Sequence, residues 1–203
     1  MKLYNGLGPN PQVVRIFIAE KGMDVPLEEV DIMAADNRKE AHLKRNPAGG
    51  LPTLELDDGS FLSEITAICE YLEEKQPAPP LIGSTPEERA ETRMWTRRID
   101  LQIVEPMSQG FRYSEGLPLF KDRVRCLPEA ADGLKTIARE KLVWLDGLLA
   151  GKQYVCGDRL TLADILLYAF VKFGGSVGQP LPEECGNIKA LVERIDARPS
   201  AQA

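Results

Sequence analysis

The pattern of hydrophobic and polar positions divides the chain into two regions of different character. In the first region, short apolar runs typical of strands alternate with segments of helical periodicity. The predicted strands cover residues 2–4, 27–32, 53–56 and 61–62. The predicted helices cover residues 12–21 and 34–45, and a third begins at Glu64 with an apolar face at Ile65, Ile68, Cys69 and Leu72. This alternation indicates an α/β domain.

The second region begins after four prolines between residues 77 and 86, a stretch that a helix does not continue through. The remaining predicted helices run from Pro86 past Trp95 and over residues 101–113, 134–149, 161–173 and 188–197. Pro106 predicts a kink, and Thr161 with Asp164 predicts a reciprocal helix cap. The order of elements predicts a thioredoxin-like α/β domain at 1–76, a linker at 77–86 and an all-α helical bundle at 87–203.

Residues 46–64 carry the most specific chemistry of the first region. A cis peptide bond between Leu51 and Pro52 would turn the Leu51 main chain outward, where its N–H and C=O can pair with an extended peptide. The predicted helix that begins at Glu64 offers main-chain N–H groups to a carboxylate, and the Glu64 carboxylate suits an ammonium group. Together these groups suit a small peptide with an α-amino acid head.

Three sequence motifs resemble those of the soluble glutathione transferases. N-P-x-G-x-L-P at residues 46–52, followed by a hairpin and L-x-E-x-x-A-I at residues 62–68, resembles the glutathione-binding half of that family. The resemblance continues at residues 14–22 and 157–164, so it covers nearly the whole chain. It implies the thioredoxin-like plus helical-bundle architecture of the family, with glutathione as a co-substrate and no cofactor or metal. A thioredoxin-like domain without a glutathione role is the alternative.

The resemblance also identifies where the thiol of glutathione would be activated. The position at which several subfamilies place a catalytic Ser or Cys is Gly8 here, so the chain resembles an atypical branch that lacks this side chain. Asn10 and Tyr4 match other catalytic positions of the family, and the N-terminus of the first helix favours a thiolate by its N–H groups. A Ser at Gly8 would add a hydroxyl, provided that the backbone there does not need a positive φ.

The remaining site residues are carried over from the family position by position. The glutathione-binding set implied by the resemblance is Asn10, Asn37, Leu51, Pro52, Glu64 and Ile65. Asn37 is placed at the glycine carboxylate, with Arg38 adjacent, and His42 is expected to pack rather than bind. The predicted walls for a hydrophobic electrophile are Leu7, Met107, Phe111, Arg112, Tyr113 and Tyr168.

Charge and composition exclude several other classes of function. Residues 1–80 carry 8 basic against 14 acidic side chains, a net charge of −6, and residues 81–203 carry 17 of each. An acidic first region argues against nucleic-acid binding. No apolar run approaches the ~20 residues that span a bilayer. The N-terminus enters a strand directly and the four cysteines lack metal-site spacing, so we expect a cytoplasmic protein with reduced thiols.

Three functions are compatible with these features. The first is a transferase that joins the glutathione thiolate to a hydrophobic electrophile, as in detoxification. The second is a glutathione-dependent disulfide reductase or peroxidase, and the third is a non-catalytic binding protein with the same fold. The resemblance further implies a homodimer, for which the charged candidates are Glu70, Glu73 and Glu74 on one side and Arg89, Arg93 and Arg97 on the other.

Overall fold

A four-stranded sheet organises the N-terminal part of the computed structural model, which describes all 203 residues. The strands are β1 (Lys2–Asn5), β2 (Leu27–Glu29), β3 (Thr53–Glu55) and β4 (Phe61–Ser63), in the order β2-β1-β3-β4. β1 is parallel to β2 and antiparallel to β3, which is antiparallel to β4. β2 is shorter than predicted because the Asp31 carboxylate accepts hydrogen bonds from the Met33 and Ala34 N–H groups, which turns the chain.

Three α-helices accompany this sheet: α1 (Pro9–Lys21), α2 (Glu40–Leu43) and α3 (Ile65–Lys75). The prediction of one short polar helix over residues 34–45 is wrong, since a 3₁₀ turn at Asp36–Arg38 and the single turn of α2 replace it. Ala35 has a left-handed φ of 58° and Lys39 is extended, and these two residues interrupt the helical path. The core consists of fully buried apolar side chains: Leu3, Val14, Phe17, Leu54, Ile68 and Leu72.

Apart from two isolated β-bridges at residues 154–159, the C-terminal part is formed by helices. They are α4 (Pro86–Ile99), α5 (Glu105–Arg112), α6 (Leu117–Phe120), α7 (Ala131–Leu148), α8 (Leu162–Ser176) and α9 (Gly186–Asp196). A π-helical turn at Asp100–Val104 joins α4 to α5 directly before Pro106, whose ring nitrogen has no proton to donate. The cap predicted at α8 is confirmed, because Thr161 N–H donates to Asp164 Oδ2 over 2.8 Å. The thioredoxin-like and all-helical architecture is likewise confirmed.

The chain forms two compact units, whose boundaries differ from those predicted from the sequence. The first comprises residues 1–84 and 199–203, and the second comprises residues 85–198. The predicted boundaries, 1–76, 77–86 and 87–203, therefore differ in the linker and in the last five residues. Lys21 holds the linker by donating to the carbonyls of Gln76 and Pro79, each over 2.7 Å. Ser200 holds the C-terminal segment by donating to the Glu20 carboxylate on α1.

Glu73 belongs to the same buried group and is not part of a charged surface. Its carboxylate pairs with Lys21 and accepts hydrogen bonds from the Leu81 and Ile82 N–H groups. Glu73 is 2% exposed, so the expectation that it faces a second subunit is wrong. The sequence pattern does not predict the burial of Glu73, because Lys and Glu side chains on helices are usually exposed to solvent. None of the helices combines the length and apolar character that crossing a membrane requires.

Candidate functional site

The ends of three strands place the loop at residues 46–52 and the starts of α1 and α3 at one edge of the sheet. Thr53, the first residue of β3, pairs with Tyr4 near the end of β1 and with Ser63 at the end of β4. Leu51 therefore lies near both chain segments that lead into α1 and α3. A Cβ atom added at Gly6 would lie 2.7 Å from Leu51 Cδ1, which shows how closely the β1–α1 loop approaches Leu51.

Leu51 presents main-chain groups without partners at this edge. The Leu51–Pro52 peptide bond is cis, as predicted. The N–H and C=O groups of Leu51 make no hydrogen bond within the chain, and Leu51 is only partly buried. Unpaired backbone groups next to a strand are able to receive an added peptide segment.

The N-terminus of α1 supplies a second set of unpaired donors. Gly8 precedes the helix with φ 128° and ψ 169°, a conformation that is essentially restricted to glycine. Asn10 lies in the first turn, is partly exposed, and its side-chain amide has no partner within the chain. Pro9 and Pro11 have no N–H, and the Gln12 N–H donates to the Gly8 carbonyl oxygen. The helix start therefore combines the main-chain N–H of Asn10, its side-chain amide donor and the positive end of the helix dipole.

Tyr4 points away from this helix start. Its ring packs on Phe61 and under the Arg45 guanidinium, and it is 2% exposed. Its hydroxyl donates to Glu55 Oε2 over 2.7 Å, and Glu55 pairs with Lys2 at the beginning of β1. Burial, followed by the hydrogen bond to Glu55, raises the pKa of Tyr4. These contacts give Tyr4 a structural role and favour Asn10 over Tyr4 as the group near a thiol.

The start of α3 forms the third part of the site. Glu64 has φ 71° and ψ 127°, a backbone conformation rarely adopted by residues other than glycine. Such outliers cluster at functional sites. The Glu64 side chain is exposed and has no partner within the chain, and the N–H groups of Ile65 and Thr66 lack intrahelical acceptors. This helix start can therefore receive both an ammonium group and a carboxylate.

Asn37, which the resemblance places at the glycine carboxylate, makes its hydrogen bond within the chain. It is 4% exposed, and its amide nitrogen donates to the carbonyl oxygen of Gly49 over 2.7 Å. Arg38, the adjacent residue, is partly exposed and its Nη1 donates to the Ala48 carbonyl oxygen over 3.2 Å. His42 is buried, as expected, but its ring also makes a polar contact to Gly50 that the sequence did not indicate.

Leu7 is the only predicted electrophile-site residue in the first unit. It is 75% exposed and borders an open hollow of about 360 Å³ together with residues 29–33 and Asp36. Its exposure at the β1–α1 loop agrees with contact to a bound molecule. A lone exposed leucine is also ordinary on a protein surface, so exposure alone does not assign that role.

The predicted electrophile-site residues of the second unit fall into two groups. Met107 and Tyr168 are core side chains, 1% and 2% exposed, and the Tyr168 hydroxyl donates to Asp196 over 2.6 Å. Their predicted place on a substrate wall disagrees with this burial, because both side chains pack in the core of the second unit. Phe111, Arg112 and Tyr113 are partly exposed at the end of α5.

Aromatic contacts surround Phe111 in this group. The ring lies 5.2 Å from that of Phe173 and 6.1 Å from that of Phe120, both edge to face. The Arg112 guanidinium lies over Phe120. The structure contains no group of three or more His, Cys, Asp or Glu side chains placed to hold a metal ion.

Comparisons with known proteins agree with this geometry. Residues 8–75 match the family described as the glutathione S-transferase N-terminal domain, and residues 118–199 match its C-terminal domain. The chain is 33% identical to glutathione S-transferase 2 of Saccharomyces cerevisiae over 96% of this chain and 84% of that protein. It is 29% identical to glutathione S-transferase GstA of Escherichia coli O157:H7 over 100% of this chain and 96% of that protein.

A solved structure extends the similarity to three dimensions. The crystal structure of Gtt2 from Saccharomyces cerevisiae superposes with a TM-score of 0.93 at 32% identity, covering 100% of this chain and 99% of that one. Sequence similarity over both domains and the same fold over the whole length lead to one conclusion. This chain belongs to the glutathione S-transferase family.

Proposed function

We propose that this glutathione S-transferase joins the thiolate of glutathione to a hydrophobic electrophile. The observation that carries the proposal is the convergence of three sets of unpaired groups at one sheet edge. These are the Leu51 main chain, the start of α3 at Glu64, and the start of α1 at Asn10. They match the three chemical parts of glutathione, which are an extended peptide backbone, an α-amino acid head and a thiol.

The proposed chemistry requires a thiolate, which the start of α1 stabilises. A thiol with a pKa near ~8.5 is only a few per cent ionised at neutral pH. The main-chain N–H and the side-chain amide of Asn10 donate to the sulfur, and together with the α1 dipole they favour its ionised form. The thiol proton leaves to solvent, the sulfur forms a bond to an electrophilic carbon, and the leaving group departs with its bonding electrons.

The hydrophobic character of the second substrate is inferred from each unit by itself. Leu7 in the first unit is an exposed apolar side chain. In the second unit, the partly exposed side chains of Phe111, Arg112 and Tyr113 offer aromatic surface with one cation. Such lining is typical of sites for small apolar ligands. A hydrophobic electrophile supports the further proposal of a role in detoxification. The composition and the unpaired cysteines support the proposal of a cytoplasmic location.

The names of the relatives favour transfer over the two other functions. The deciding assay compares a model aryl halide with a mixed disulfide of glutathione, each with glutathione titrated. We expect turnover of the aryl halide that saturates with glutathione. Turnover of the disulfide alone would establish the reductase reading, and glutathione binding without either activity would establish a binding protein.

Glu64 provides a direct test of the glutathione site. Glu64→Ala removes the carboxylate proposed to bind the ammonium group, so we expect affinity for glutathione to fall by about 1.5–3 kcal/mol, the value of a hydrogen bond to a charged group. Isothermal titration calorimetry measures this change. Glu74→Ala is the control, because Glu74 is exposed farther along α3. Equal affinity in Glu64→Ala and wild type would contradict the placement.

A homodimer is part of the same proposal. The second unit exposes large apolar side chains on α4, α7 and the π-helical turn, among them Met94, Leu101, Trp144 and Leu148. Exposed apolar surface of this kind is typical of interfaces. We expect light scattering at micromolar concentration to give twice the chain mass of 22.5 kDa. A monomeric mass would refute the dimer.

A further inference from the structure

Three successive carbonyl groups just before Leu51 are held by side chains from residues 37–46. Arg38 Nη1 donates to the oxygen of Ala48 over 3.2 Å, and Asn37 Nδ2 donates to that of Gly49 over 2.7 Å. The oxygen of Gly50 accepts from His42 Nε2 over 2.9 Å and from Asn46 Nδ2 over 3.1 Å. Each carbonyl that precedes the proposed peptide-binding residue is therefore turned toward the protein.

The contacts of Asn37 and His42 are buried. The two residues are 4% and 2% exposed, and neither the Asn37 Oδ1 atom nor the His42 Nδ1 atom has a partner. Since the Gly50 oxygen can only accept, His42 Nε2 is the donor of this hydrogen bond. A buried polar side chain with half of its hydrogen-bonding capacity unused costs stability, which its remaining bond only partly offsets. The hydrogen bonds of Asn37 and His42 therefore fix the backbone of the loop at residues 48–50, and they add little to the stability of the core.

The consequence appears at Leu51. The carbonyl groups of residues 48–50 all have partners in the chain. The N–H and C=O groups of Leu51, which come next along the backbone, have none. We propose that His42 and Asn37 are positioning residues for glutathione: they act through Gly50 and Gly49 to orient the Leu51 main chain. This inference rests on the proposed function, and it replaces the expected contact between Asn37 and the glycine carboxylate.

Paired substitutions test this role. His42→Phe keeps an aromatic ring and removes the donor, whereas His42→Gln returns an amide N–H close to the place of Nε2. Asn37→Leu introduces a side chain that is similar in shape to that of asparagine and has no hydrogen-bond donor. Lys44→Ala is the control, because Lys44 lies two residues after His42. Its side chain is 74% exposed, and its one ion pair, to Glu40, is also exposed.

The first readout separates binding from chemistry. We expect His42→Phe and Asn37→Leu to raise the Kd and KM for glutathione about threefold to tenfold, the effect of one hydrogen bond, with kcat at saturation unchanged. His42→Gln should recover most of the affinity, and Lys44→Ala should match wild type. Thermal unfolding of every variant verifies that it is folded. An unchanged Kd in folded His42→Phe and Asn37→Leu would overturn the inference.

The second readout asks whether the lost affinity is lost at Leu51. A glutathione analogue methylated at the cysteinyl peptide nitrogen cannot donate to the Leu51 carbonyl, so it should bind wild type about tenfold more weakly than glutathione. In His42→Phe and Asn37→Leu this difference should shrink, since the Leu51 carbonyl is no longer held in place. The same difference in all proteins would overturn the inference while leaving the proposed function intact. A wild type that binds no glutathione would overturn both.

Discussion

Gly8 occupies the position at which the family resemblance places a catalytic side chain, and its backbone conformation disfavours one there. Its φ of 128° lies in a region that residues with a Cβ atom rarely adopt, although no other atom lies within 4 Å of a Cβ built at Gly8. Backbone conformation, not crowding, therefore excludes a serine. The condition under which Gly8→Ser would add a useful hydroxyl is not met, and we therefore propose that Asn10 and the start of α1 activate the thiol.

Asn10 is the residue whose replacement tests this activation. Asn10→Ala removes one hydrogen bond to a thiolate, worth roughly 1.5–3 kcal/mol, so kcat should fall about tenfold to a hundredfold while glutathione affinity changes little. The absorbance of the bound thiolate against pH should show a higher apparent pKa of glutathione in this variant.

Tyr4→Phe is the matched comparison at the residue scale. Because the Tyr4 hydroxyl is committed to Glu55, its loss should leave kcat and the apparent pKa of bound glutathione as in wild type. If Tyr4→Phe raised that pKa and Asn10→Ala did not, Tyr4 would be the activating group.

At the scale of elements, prediction succeeded where periodicity and turn chemistry agreed. The start of α3 and the cap of α8 each follow from a local rule about backbone hydrogen bonds. The π-helical turn before Pro106 lies where the sequence predicts a kink. The segment at residues 34–45 failed because its polar residues suggest a solvated helix. Asn37 and His42 are instead buried against the loop at residues 48–50, a long-range contact that no local pattern indicates.

The cap of α8 makes a pH-dependent contribution. Burial raises the pKa of Asp164 from an ordinary value of 3.8 to about 6, against the hydrogen bonds from Val155 and Thr161. The folded state therefore holds the proton more tightly than the unfolded state. This contribution to stability is complete below about pH 4 and is lost as the pH rises through about 6.

Asp164→Asn, which does not titrate, isolates that contribution. Relative to this variant, wild type should lose roughly 1–3 kcal/mol of unfolding free energy between pH 4 and pH 7. Urea denaturation across this range measures the difference. A wild-type advantage that grows with pH would mean that the hydrogen bonds outweigh burial.

At the scale of the whole molecule, the sequence predicted two parts but not the exact boundary between them. Prolines after residue 76 mark the end of a helix, and the change from mixed to purely helical periodicity is real. What the pattern missed is that residues 77–84 fold onto the first unit through Lys21 and Glu73. Charged residues on helices are expected at the surface. A buried Lys–Glu pair that binds the linker to the first unit therefore has no sequence signature.

Lys21→Met tests how much this buried pair stabilises the protein. The side chain of Lys21 is 0% exposed, so its loss leaves the Glu73 charge buried without its counter-ion and the carbonyls of Gln76 and Pro79 without their donor. We expect the free energy of unfolding to fall by about 3–5 kcal/mol, the usual cost of breaking a buried ion pair.

Adding Glu73→Gln to Lys21→Met separates charge from packing. The second substitution removes the unpaired charge but keeps an oxygen that accepts from the Leu81 or Ile82 N–H group. Because an uncompensated buried charge accounts for much of the loss, the double variant should be more stable than Lys21→Met alone. Equilibrium denaturation of wild type, both single variants and the double variant measures the coupling. A double variant no more stable than Lys21→Met would show that the two carbonyl contacts, and not the ion pair, hold the linker to the first unit.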